Sequence, residues 1–172
     1  MGPSRKTRKL KKYPLTIEHH HLLLRLETKS CPGPDDKPEA EKLIRNIVND
    51  IQMKLLAEPR VYYAKVPKYN EGLTAIAPIE TSHIAFHFWT KPENQILVNK
   101  ESRCLLQFDV YTCGTLSLKQ AKTILHHLTH YGPHHMNLTI LNRNHGLSTE
   151  ATKIWDSSKD KPWSQWLDAN LV

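Results

Sequence analysis

Three short β-rich runs follow one another between Arg60 and Trp89: Arg60–Val66 (RVYYAKV), Leu73–Ile79 (LTAIAPI) and Ser82–Trp89 (SHIAFHFW). Only residues 67–72 and the Glu80-Thr81 step separate them. Runs of β-branched and aromatic residues bounded by turn chemistry read as consecutive strands, which commits the chain to a sheet. In the third run Ser82, Ile84, Phe86 and Phe88 alternate with His83, Ala85, His87 and Trp89. Side chains alternate across a strand, so His83 and His87 share one face.

The flanking segments supply the second layer. Residues 15–27 (LTIEHHHLLLRLE) end in a leucine-rich run of strand length, closed by the turn-forming residues 31–38. Ala40, Leu43, Ile44, Ile47, Val48, Ile51 and Leu55 recur at helical spacing and predict an amphipathic helix over 40–55. Residues 90–102, polar at both ends, form an excursion before a strand over 103–111, and Leu118, Ala121, Ile124, Leu125 and Leu128 mark a second helix that stops near Tyr131-Gly132-Pro133. A strand over 136–141 follows, and the tail 147–172, with Trp155, Trp163 and Trp166, is expected to pack as a short helix or to cover an edge. The order β, α, three strands, a fourth strand, α, β predicts an α+β fold: a two-layer sandwich with an antiparallel or mixed sheet and both helices on one face.

At 172 residues the chain is the size of one ordinary domain, and it holds no run of about 18 apolar residues such as a membrane-spanning helix requires. The net charge of +7 suggests a nucleic-acid partner until it is located. Arg5, Lys6, Arg8, Lys9, Lys11 and Lys12 carry six of those charges within the first 12 residues, leaving +1 for the other 160. A basic arm (1–14) on a near-neutral body does not argue for nucleic-acid binding. Three cysteines, Cys31, Cys104 and Cys113, make an odd count without a CxxC pair. No disulfide framework is expected, and the chain reads as cytoplasmic. His19, His20 and His21 cannot all face one point on a strand. His126 and His130 stand four apart without a carboxylate or cysteine at ligand spacing, so no metal is assigned.

Two segments carry the chemistry: Ile79-Glu80-Thr81-Ser82-His83-Ile84-Ala85-Phe86-His87 and Phe108-Asp109-Val110-Tyr111-Thr112-Cys113-Gly114. They resemble the signature segments of the prokaryotic-type, pyruvoyl-dependent S-adenosylmethionine decarboxylases, over a domain of residues 15–146. The resemblance implies that the chain cuts its own Thr81-Ser82 bond through attack of the Ser82 hydroxyl on the Thr81 carbonyl. Elimination then converts Ser82 into a pyruvoyl group, the cofactor. Such a ketone condenses with a substrate amine and takes up the electron pair left as CO2 departs. The resemblance further implies that His87 and Thr74 assist processing, that Cys113 returns a proton to the substrate, and that two processed chains form a homodimer. A thiol suits proton traffic near neutrality.

Three features depart from the family pattern. Thr81, not Glu, precedes Ser82, with Glu80 one place earlier. The bulk of this β-branched residue bears on processing, and it sets a second hydroxyl beside the bond. Pro92-Glu93 stands two residues later than the family's Pro-Glu, which makes Glu93 the candidate ribose ligand at a shifted position. Residues 94–102 lengthen the stretch before Cys113, and the adenine-stacking aromatic has no clean counterpart around Lys68 and Tyr69. The leading expectation is therefore decarboxylation of S-adenosylmethionine for polyamine synthesis. The same chemistry on arginine or ornithine, and a processing-dead binding or regulatory relative, are the alternatives.

Overall fold

The computed structural model describes residues 18–66 and 70–172; the basic arm, the start of the first expected strand, and Lys68 and Tyr69 lie outside them. In chain order the elements are β1 (His20–Thr28), α1 (Lys37–Asp50), β2 (Arg60–Val66), β3 (Asn70–Ile79), β4 (Ser82–Trp89), β5 (Cys104–Thr112), α2 (Leu118–His127), β6 (Pro133–Asn142), β7 (Ser148–Asp156) and α3 (Trp163–Asn170). The strands form one sheet in the order β2-β3-β4-β5-β1-β6-β7. Every neighbouring pair is antiparallel, so of the two sheet types expected the antiparallel one is realised.

Period-two patterning decides the faces. Leu22, Leu24, Leu26, Ile84, Phe86, Phe88, Leu106, Phe108 and Val110 are buried on the inner face, where they meet Ala40, Leu43, Ile44, Ile47 and Val48 of α1. Ala121, Ile124 and Leu125 of α2 and Trp163, Trp166 and Leu167 of α3 complete the same core. All three helices therefore lie on one face. Helix α2 starts at a capping box, in which the Ser117 side chain accepts from the Gln120 backbone and the Gln120 side chain answers at Ser117. Helix α1 stops at Asp50, short of Leu55, because Gln52 takes a left-handed φ of 61°. Leu55 instead bridges to Ile79 at the edge of β3.

The tail does both things that the sequence left as alternatives, forming a helix and covering an edge, the latter with a strand that the sequence did not predict. β7 covers the β6 edge, and Trp155, Trp163 and Trp166 join the core. His20 is also buried, with its Nδ1 accepting from the Leu116 backbone and its Nε2 2.9 Å from Glu150.

The cysteine expectation is corrected. Cys31 and Cys104 form a disulfide, Cα to Cα 5.9 Å, and Cys113 is the free thiol. Seventy-three residues separate the pair in sequence, but Cys104 lies in register with Thr28 on β1, three residues before Cys31. Strand pairing, invisible to cysteine spacing, makes the bond.

Among the described residues no helix lies on the outer face. Leu23, Tyr62, Ile76 and Ile154 lie exposed on it beside Thr74, Ala85, His87, Gln107 and Asp109. A shallow depression of about 680 Å³ runs across its centre. Residues 97–102 fold over one end. There the Glu27 carboxylate, fully buried, accepts from the Val98 and Asn99 backbones at 2.8 and 2.9 Å and from the Ser102 hydroxyl at 3.2 Å. Arg25 pairs with Glu27 and donates to the Ile96 carbonyl.

Candidate active site

The β3-β4 hairpin closes through only two residues, Glu80 and Thr81, since Ile79 pairs with Ser82. So tight a link puts Ser82 at φ 151°, a region that L-residues with a side chain seldom occupy. Residues 53–56 hold the turn from behind: Glu80 donates its N–H to Lys54 O at 2.9 Å, Leu56 donates to Pro78 O at 3.0 Å, and Lys54 pairs with the Glu80 carboxylate. The Thr81 hydroxyl points to the Met53 sulfur at 3.9 Å and is thereby occupied away from the bond to Ser82.

Pairing of β4 with β5 places Ser82 opposite Thr112, and so brings the second motif to the first. The backbone N–H of Cys113 donates to the Thr81 carbonyl oxygen at 2.8 Å. This is the carbonyl that a Ser82 hydroxyl would attack, and a donor fixed on it is the arrangement that stabilises a developing oxyanion. The Gly114 N–H donates to the Thr112 hydroxyl at 3.0 Å, which holds the turn that follows.

On the outer face, the Ser82 hydroxyl lies 3.2 Å from Nδ1 of His83, and Nε2 of His83 lies 3.4 Å from the Asp109 carboxylate. His21 approaches the same carboxylate oxygen at 3.5 Å from the other side. Tyr111 packs its ring against His19, His21 and His83, and the Arg143 guanidinium sits 4.4 Å from its centre. Burial pushes His21 below the ordinary histidine range; Asp109 opposes this shift, while Arg143 and His83 add to it.

Thr74 and His87 form a separate group. They pair directly across β3 and β4, with Thr74 Oγ1 hydrogen-bonded to His87 Nδ1. His87 Nε2 is buried with no hydrogen-bond partner among the described residues, and burial lowers the His87 pKa, which keeps the ring neutral and able to accept a proton. Five residues of strand separate Ser82 from His87, or about 16 Å. Glu93 lies farther still, exposed in the turn beyond Trp89, where it accepts from Gln95. Of the residues expected from sequence, Thr81, Ser82 and Cys113 come together, Thr74 and His87 come together elsewhere, and Glu93 joins neither group.

A family model described as S-adenosylmethionine decarboxylase matches residues 21–144. The chain belongs to the S-adenosylmethionine decarboxylase family. No curated protein matches it significantly. The matched span contains both groups described above, and β7 and α3 lie beyond it. Members of this family are carboxy-lyases that use a pyruvoyl group. The residues present fit the making of that group: a serine in unfavourable backbone geometry follows a carbonyl already held by an N–H.

Sequence reasoning singled out Ser82, His87, Thr74 and Cys113 but gave no role to His83, Asp109, Tyr111, His21 or Arg143. Alternation alone places His83 on one face of β4, and Asp109 and Tyr111 on one face of β5. The missing signal was the β4-β5 register, which sets His83 opposite Tyr111 and one step from Asp109.

Proposed function

We propose that this S-adenosylmethionine decarboxylase family member is an autoprocessing, pyruvoyl-dependent enzyme acting on S-adenosylmethionine and supplying the decarboxylated product for polyamine synthesis. The observation that carries this reading is the Thr81 carbonyl, gripped by the Cys113 N–H with the Ser82 hydroxyl beside it. Ser82 attacks Thr81, the peptide becomes an ester, elimination releases the Thr81 carboxylate and leaves dehydroalanine at position 82, and hydrolysis by water with loss of ammonia gives residues 82–172 a pyruvoyl N-terminus. That group supplies the electron sink for loss of CO2. Cys113, the free thiol at the same end of the sheet, returns the proton to the product.

The distance between Ser82 and His87 supports association as a homodimer. One chain cannot bring His87 to its own Ser82, whereas a second copy laid on the bare outer face brings its Thr74 and His87 to the first copy's Ser82. The exposed Leu23, Ile76 and Ile154 supply apolar area for that contact. Glu93, in the turn past β4, is the proposed ribose ligand on this reading.

Among the described residues no helix is long and apolar enough to cross a membrane. A cytoplasmic location accompanies the proposed activity; the Cys31–Cys104 bond weighs against it, because disulfides are rare in reducing compartments.

Intact mass of the purified chain under denaturing conditions tests the reading. Two fragments split between Thr81 and Ser82, the second carrying a pyruvoyl terminus, are expected. A single chain that persists on long incubation favours the processing-dead relative, for which the β-branched Thr81 at the bond is the specific argument. Product analysis with S-adenosylmethionine, arginine and ornithine then identifies the substrate.

A further inference from the structure

Attack by a serine hydroxyl requires somewhere for its proton to go, and His87, about 16 Å along the strand, is out of reach in the same chain. Nδ1 of His83 lies 3.2 Å from Ser82 Oγ. The far nitrogen of that ring faces the Asp109 carboxylate at 3.4 Å. A carboxylate there favours the tautomer with its proton on Nε2, which leaves Nδ1 as an acceptor turned to the hydroxyl. Hydroxyl, imidazole and carboxylate thus stand in a row, contributed by the first two residues of β4 and by β5.

We propose that His83, positioned by Asp109, is the general base that starts self-cleavage by taking the Ser82 hydroxyl proton. This inference rests on the proposed self-cleavage and deepens it. In the step, the Ser82 O–H bond breaks and its proton moves to His83 Nδ1 while Ser82 Oγ bonds to the Thr81 carbonyl carbon. The negative charge on the carbonyl oxygen is met by the Cys113 N–H. The C–N bond to Ser82 then breaks, and His83 passes the proton to the departing nitrogen. The result is an ester with a free amine, no net proton is gained or lost, and no co-reactant is consumed. His83 is a catalytic residue of processing in this scheme and Asp109 a positioning residue.

Several elements contribute the groups that face His83. From β5 they are Asp109 and Tyr111, from β1 His21, and past β6 Arg143 over the Tyr111 ring; on β3 the opposite residue is Pro78. With a histidine as general base, cleavage should accelerate with pH and then level off. Activation by hydroxide alone would keep rising.

The test follows the freshly translated full chain by intact mass over time and across pH. In His83→Gln, cleavage at Thr81-Ser82 is expected to slow by about 10²–10⁴-fold and to lose the plateau. In His83→Ala, added imidazole should restore part of the rate, a response that a merely structural role does not predict. Asp109→Asn should slow cleavage with no rescue by imidazole. If His83→Gln cleaves at the wild-type rate, or if the pH profile and the imidazole response are both unmoved, the assignment of His83 is overturned while the proposed function stands. A wild-type chain that never cleaves overturns the proposed function, and the base falls with it.

Discussion

The Cys113 backbone N–H donates to the Thr81 carbonyl oxygen across 2.8 Å, so the residue with the free thiol grips the bond before Ser82 with its main chain. Under the proposed function, main chain and side chain of one residue serve two stages: the N–H polarises the carbonyl during processing, and the thiol moves a proton during turnover. The stages are separable by substitution. Cys113→Ala keeps the N–H and is expected to cleave normally yet decarboxylate slowly. Cys113→Pro removes the donor, and Thr112 before it is already in an extended strand, the conformation a residue preceding proline prefers. Its cleavage rate should fall by about 10²–10³-fold, the usual effect of losing one oxyanion donor. Fragment formation by mass and CO2 release on the processed fraction check the two arms. Normal cleavage in Cys113→Pro would sink the polarising role.

Much of the fold was legible because its signals are local. The stripe from Ala40 to Val48, the alternation in β4 and the turn at Gly132 each lie within a dozen residues, and each became the expected element. Contacts set by non-neighbouring strands were not legible. The Cys31–Cys104 bond needs β1 beside β5, and the approach of His83 to Asp109 needs the β4-β5 register, neither of which leaves a period in the sequence. β7 was missed as a strand because its run Ser148–Asp156 is mostly polar and exposed until Trp155, as befits an edge.

Gly72 is required by close approach. A Cβ there would stand 2.0 Å from the Phe88 carbonyl oxygen, a backbone atom that cannot rotate away. Gly72→Ala must therefore part β3 from β4 near Thr74 and His87. A loss of about 1–3 kcal/mol is expected, as for other overpacked sites, read as a lower denaturant midpoint. An unchanged midpoint would show that the hairpin yields without cost.

Glu27 anchors residues 97–102 and gives the fold an acid sensitivity. Burial pushes its carboxyl up, but the Val98 N–H, the Arg25 side chain and the Asn99 N–H together outweigh burial and hold it below the usual glutamate range. A carboxyl depressed in the folded state contributes stability that is complete above its unfolded pKa, near 4.3, and lost as pH falls through the lower folded value. Glu27→Gln should cost about 2–3 kcal/mol at neutral pH, the scale of hydrogen bonds to a charged group. It should also flatten the stability profile below about pH 4.3. Equal acid sensitivity in variant and wild type would place the effect on other carboxylates.

The separation of Ser82 from His87 makes a prediction about pairs of chains. If the site is completed by a second copy, a Ser82→Ala chain carries an intact Thr74-His87 pair to offer, and a His87→Ala chain carries an intact Ser82 in need of one. Each alone should stay full length. Co-expressed, they should form mixed dimers in which the His87→Ala chain is cut at Thr81-Ser82 and the Ser82→Ala chain is not. At most one site per mixed dimer is competent, so random assortment of equal amounts yields about half of the dimers with one processed chain. Tagging the two chains differently and weighing each resolves them. Cutting of the His87→Ala chain on its own would remove His87 from processing. An uncut His87→Ala chain within a proven mixed dimer would mean that the bare outer face does not deliver His87 to its neighbour.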